Sequence, residues 1–174
     1  MKKLMALLAI TISLAGAISP ASATAKAYPV SLTLRSLGIM TNLIPLGLTA
    51  DGSLAVPPDD RAAGWFTGGP KPGTIGPAVI VGHVDWKGKK GPFFYLTNAK
   101  KGQVIVVNNS DFTSSTFVIT KVSYYKKTAF PTKLVYGNLS YPGLRLITCG
   151  IFNDKLHAYV DDFVVYASLK SKSK

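Results

Sequence analysis

The sequence predicts an all-β fold, a closed barrel or a sandwich of short strands, and three observations carry that reading. Roughly eight runs rich in β-branched and aromatic residues recur along the chain, with turn residues between them. No stretch shows the long 3.6-residue apolar period of an amphipathic helix. Once an apolar leader is set aside, roughly 150 residues remain, enough for one domain around a single core.

The leader occupies residues 1–25. Lys2 and Lys3 are followed by an almost wholly apolar run from Leu4 to Ile18. Ala21-Ser22-Ala23 and Ala23-Thr24-Ala25 then both have the small-residue form that signal peptidase cleaves. A bilayer-spanning helix needs about 20 apolar residues. The run here is shorter, so a cleaved signal on an exported protein is expected, with an uncleaved anchor as the alternative. Residues 26–174 then form the one folded domain.

Along that domain, Pro29–Leu34 alternates apolar and polar side chains as a half-buried strand does. Leu43–Leu48 and Leu54–Val56 flank Thr49-Ala50-Asp51-Gly52-Ser53, whose Asp-Gly pair signals a hairpin. Pro57-Pro58 stops the pairing. Ala62–Phe66 reads as a short helical turn, Gly68–Gly73 as an open loop, and Ala78–Val84 as a strand carrying His83. A Gly/Lys turn over Lys87–Gly91 precedes Phe93–Leu96, which is either the start of a short helix or an aromatic plug. Val104–Asn108 and Thr116–Tyr125 pair across Asn109-Ser110-Asp111. Phe130-Pro131-Thr132 opens a short helix, since proline suits a first helical turn. Leu144–Thr148 and Phe163–Ala167 are the last strands, before a fraying Lys/Ser tail.

Chemistry concentrates at Leu144-Arg145-Leu146-Ile147-Thr148-Cys149-Gly150, which holds the single cysteine of the chain. A lone cysteine forms no internal disulfide. In an exported protein it is a reactive group or an intermolecular partner, with a small buried hydrophobe as the bland alternative. A thiol attacks only as thiolate, and a free one titrates near ~8.5, so it needs a helper. Of the two histidines, His83 ends a strand and His157 falls in a loop.

Strand parity puts Arg145, Ile147 and Cys149 on one face, and Leu144, Leu146 and Thr148 on the core face. A cation and an imidazolium both favour the thiolate, histidine can protonate a leaving amine, and arginine can hold an oxyanion. These are the requirements of cysteine acyl transfer. Arg145 lies roughly 13 Å from Cys149 at a rise of about 3.3 Å per residue, so it reaches a substrate along the strand more readily than the sulfur. Ile147 and Thr148, beside the cysteine, are the candidate substrate contacts. Asp85 shares a face with His83 and either orients it or caps a turn. Trp65 and Trp86 read as packing residues. Two histidines and one cysteine without paired spacing make no standard zinc set, so neither a metal nor another cofactor is expected.

Charge narrows the partners. The formal net charge is +12, every acidic residue is Asp, and the only arginines are Arg35, Arg61 and Arg145. The lysines come as scattered pairs, Lys89-Lys90, Lys100-Lys101 and Lys126-Lys127, without the Arg-rich runs of a nucleic-acid reader. An anionic cell envelope is the expected partner surface, each pair alone being an ordinary solvated face.

Several stretches, in one order, resemble the sortases, the cysteine transpeptidases of the Gram-positive cell surface, and most closely their actinobacterial class F. They include Val56-Pro57-Pro58, Ala63-Gly64-Trp65-Phe66, the Gly68–Gly73 loop, Gly76 to Asp85 around His83, Phe130-Pro131-Thr132, Val135-Tyr136-Gly137, Leu144–Gly150 and Tyr159–Ala167. The resemblance runs from about Pro29 to Ala167. It implies an eight-stranded sortase barrel, expected as a monomer, with residues 26–174 as the catalytic domain. It also implies that Cys149 attacks the Thr–Gly bond of an L-P-x-T-G-type sorting signal through a thioacyl intermediate. His83 would serve as acid and base, and an amine on a peptidoglycan precursor or a pilin would be the acceptor.

Sortases generally carry their arginine after the cysteine, where this chain reads Lys155-Leu156-His157-Ala158-Tyr159-Val160-Asp161-Asp162. Arg145 is therefore the third catalytic candidate, with Lys155 or His157 as other sources of positive charge. On that assignment, Arg145→Ala is expected to lower turnover by at least the ~100-fold typical of one oxyanion donor. Two other readings compete: an L,D-transpeptidase-like cysteine enzyme acting on peptidoglycan, and a non-catalytic envelope-binding β-domain.

Overall fold

The computed structural model describes residues 27–173, so the leader expected over residues 1–25 lies outside the described residues. Eight strands close a barrel: β1 (Pro29–Leu34), β2 (Ile39–Leu46), β3 (Ala62–Phe66), β4 (Gly76–Val81), β7 (Val104–Asn109), β8 (Ser114–Lys126), β9 (Pro142–Cys149) and β12 (Asp161–Ser173). Their order around the wall is β1-β2-β3-β4-β9-β12-β8-β7, and β7 pairs back onto β1. Two small hairpins stand outside it, β5 (Asp85–Trp86) with β6 (Lys89–Lys90), and β10 (Phe152–Asn153) with β11 (Ala158–Tyr159). One short helix, α1 (Thr132–Tyr136), follows Pro131. The all-β barrel expected from the strand count is thus the fold found.

Two apolar layers explain the sequence pattern. Inside the barrel, Leu32, Ile80, Phe93, Phe117, Leu146 and Phe163 form one cluster. Outside it, Val79, Val81, Ile147, Val164 and Tyr166 form a second, onto which Val135 of α1 packs. Strands β4, β9 and β12 are therefore buried on both faces. That is why Ala78–Val81 and Leu144–Ile147 read as near-continuous apolar runs rather than alternating ones.

Several local readings change. Ala62–Phe66 is a strand rather than a helical turn, because it fills the slot between β2, with which it runs parallel, and β4, with which it runs antiparallel. Gly64 allows this: a Cβ there would stand 1.9 Å from the Leu46 side chain on β2. The Asp-Gly hairpin shrinks to a single bridge, Leu48 with Leu54. Phe93 is the aromatic plug, fully buried, and the helical turn starts only at Leu96. The tail expected to fray is strand as far as Ser173, with Ser171, Lys172 and Ser173 paired to Thr116, Ser115 and Ser114 of β8.

Candidate active site

The geometry of the site follows from one pairing. β4 and β9 run parallel, with Gly76 opposite Pro142 and, five residues on, Val81 opposite Ile147. Two residues further along each chain stand His83 and Cys149. The contact continues past the strand ends: Gly82 N donates to Ile147 O at 3.1 Å, and Thr148 Oγ1 donates to Gly82 O at 2.8 Å. Neighbouring strands lie about 4.8 Å apart, so adjacent chain ends deliver the imidazole and the thiol to one place.

Both side chains line a cavity of about 590 Å³. Leu54, Val56, Phe66, Phe130, Tyr136 and Ile147 supply most of its walls. Polar groups are few: His83, Thr132, Cys149 and Asp162 are among them. A largely apolar cleft with a few convergent polar groups is the usual form of a binding site.

His83 is held from two sides. Its Nε2 lies 2.7 Å from the Pro57 carbonyl oxygen. A carbonyl only accepts, so Nε2 carries the proton and Nδ1 is the nitrogen left to gain or lose one. The Trp86 ring packs on the imidazole at 4.7 Å between centroids. Asp85 does not orient it. Its carboxylate accepts from the Tyr159 hydroxyl, and burial together with that bond pushes the phenol up to about 12.

Cys149 is half-buried at the end of β9. Burial pushes its thiol up, Asp162 and Asp85 add to that, and Lys127 opposes them. Lys127 Nζ stands 3.8 Å from Sγ. Asp162 is the register partner of Cys149 across β9 and β12. Its carboxyl is also pushed up, first by burial, with Lys127 pulling it down.

The remaining sequence candidates divide. Ile147 lines the cavity. Thr148 borders it too, but it is 3 % exposed and its hydroxyl is spent on Gly82, so it braces the histidine turn. Arg145 is on the cysteine face, yet it does not line the cavity. Its guanidinium sits 4.5 Å from the Tyr166 ring centroid and donates through Nη1 to Leu144 O at 3.1 Å. Nε is buried without a partner among the described residues, and burial lowers the group's proton affinity. Lys155 and His157 are exposed in the β10–β11 turn, outside the cavity lining.

Sequence reasoning missed Pro57, Trp86, Lys127 and Asp162 as neighbours of the pair. By sequence Lys127 belongs with the solvated lysine pairs. No periodicity marks it, because it lies just past β8 in a 3₁₀ turn, Lys127–Ala129.

A closed β-barrel that presents a free thiol and an imidazole on one apolar cleft has the parts of a cysteine acyl-transfer enzyme. The chain belongs to the sortase family of cysteine transpeptidases: the model of the sortase domain matches residues 32–170. That family is usually associated with the cell surface. Among solved structures, sortase A from Corynebacterium diphtheriae is 16% identical, covering 85% of this chain and 63% of that one, with a TM-score of 0.65. Sortase C-1 from Actinomyces oris is 18% identical, covering 82% and 75%, with a TM-score of 0.63. Sortase A from Listeria monocytogenes is 18% identical, covering 83% and 88%, with a TM-score of 0.62. At these identities the likeness establishes the fold. No curated protein matches the sequence.

Proposed function

We propose that this sortase cleaves an L-P-x-T-G-type sorting signal at its Thr–Gly bond and joins the new carboxyl end to an amine. The observation that supports this most directly is the parallel register of β4 and β9, which sets His83 beside Cys149 on one cleft. The Cys149 thiolate attacks the threonine carbonyl carbon. The carbon–nitrogen bond breaks, the leaving glycine amine takes a proton from the His83 imidazolium, and a thioester remains. An incoming amine then attacks the thioester, gives a proton to the imidazole and releases the thiolate. A peptidoglycan precursor or a pilin lysine supplies that amine, at the outer face of the cell.

The apolar walls of the cleft suit the Leu-Pro end of such a signal, and Ile147, two residues before the nucleophile, is among them. Within the family, the Leu-Arg-Leu-Ile-Thr-Cys form of β9 favours class F. Arg145 takes a bracing role against Tyr166 in this reading, because its guanidinium is committed there.

The test is mass spectrometry of the protein after exposure to a panel of L-P-x-T-G-like peptides, with and without an amine such as triglycine. The expected result is an acyl adduct on Cys149 that the amine discharges, lost in Cys149→Ala and His83→Ala with the barrel still folded. Transfer that persists in Cys149→Ala, or cross-linking confined to peptidoglycan stem peptides, overturns the reading.

A further inference from the structure

We propose that Lys127 is the cation that holds the Cys149 thiolate, in a site where no arginine among the described residues lines the cleft. This rests on the reading of Cys149 as the nucleophile. The geometry carries it: Lys127 Nζ is 3.8 Å from Sγ and 4.0 Å from Asp162 Oδ1, so one ammonium spans the two groups that face each other across β9 and β12. Its backbone is pinned as well, Lys127 N donating to Val160 O at 3.0 Å, on the connection that leads from the cysteine into β12. The side chain stays 44% exposed, so the charge keeps water on one side while it approaches the sulfur. A lysine ammonium is a compact point charge with three rotatable donors, so from that position it can serve both groups.

The surroundings of the sulfur make the cation matter. Asp162 faces it from β12, Asp85 from β5, Tyr159 from β11, and His83 lines the same cleft from the end of β4. Asp161 lies against Gly150. Burial and the two facing carboxylates all oppose ionisation, and Lys127 is the group that favours it. Without it burial and both carboxylates would act on the thiol unopposed, and only the thiolate attacks.

The experiment measures the rate of Cys149 alkylation by iodoacetamide in the full chain between about pH 5 and pH 10, where the rate follows the thiolate fraction. Cys149→Ala supplies the blank. Lys127→Met is expected to move the profile to higher pH and to lower the rate at neutral pH by about tenfold for each unit moved. Lys127→Arg should restore most of the rate. Asp162→Asn should move the profile the other way, because it removes a facing acid. A Lys127→Met profile that overlies that of the unmodified protein overturns the proposal, whatever Asp162→Asn does. If Lys127→Met fails to fold, as read by thermal melting, Lys127→Gln carries the same test. Peptide transfer measured in parallel separates the two claims. Transfer surviving in Cys149→Ala sinks the nucleophile reading, whereas a pH profile indifferent to Lys127 sinks this one alone.

Discussion

At the residue scale, the most instructive side chain is Arg145. Strand parity places it on the cysteine face, and it is there, but the same face is a packing surface, and its guanidinium lies on Tyr166 with Nε unpartnered among the described residues. Leaving a buried polar group without a partner costs about 1–3 kcal/mol. Replacing a buried charge by an apolar group of similar volume is often neutral or stabilising. Arg145→Met is therefore expected to hold or raise the thermal midpoint, keep peptide transfer within about tenfold and leave the Cys149 alkylation profile in place. A loss near the ~100-fold of an oxyanion donor would return the arginine to the catalytic set. Sequence made the cysteine and the histidine legible, since each ends an apolar strand run. It did not reveal Lys127, which meets the sulfur from a turn that obeys no period.

At the scale of elements, the β5–β6 hairpin and the turn after it decide where the histidine sits. Gly91 N donates to Val84 O at 2.8 Å and Phe93 N donates to His83 O at 3.0 Å, so the chain folds back directly over the histidine. A Cβ on Gly91 would stand 2.3 Å from His83 O and 2.9 Å from His83 Cβ. Gly91→Ala is expected to cost about 1–3 kcal/mol by overpacking. It should lower peptide transfer while iodoacetamide still labels Cys149, a split that thermal melting and the two assays would read together. Elements were legible where one face met water, as in β1. They were misread where context overrode the local pattern. Ala63, Gly64 and Trp65 are all buried, so β3 shows no alternation, and the polar end of β12 is strand only because β8 runs beside it.

At the scale of the molecule, the formal net charge of +12 is almost uncompensated. Among the described residues the ion pairs are Arg61 with Asp59 and Lys127 with Asp162. Like charges then repel across the folded surface. Raising sodium chloride from about 0.01 M to about 0.15 M shortens the screening length from about 30 Å to about 8 Å and should raise the thermal midpoint. A midpoint that falls with salt would mean that attractive pairs dominate instead. The fold class was legible at this scale because turn signals space the strands. The order of strands around the wall was not, since a parallel neighbour can come from far along the chain.

That last property has a consequence for how the enzyme comes into being. Strands that point the same way cannot be joined by a tight turn, and sixty residues separate Val81, where β4 ends, from Pro142, where β9 begins. On the proposed function, a chain that had not yet added β9 would hold the imidazole without its thiol, and acyl transfer would wait for that strand. Acyl transfer would thus serve as a direct gauge of completed folding, switched on by the closure of the wall itself.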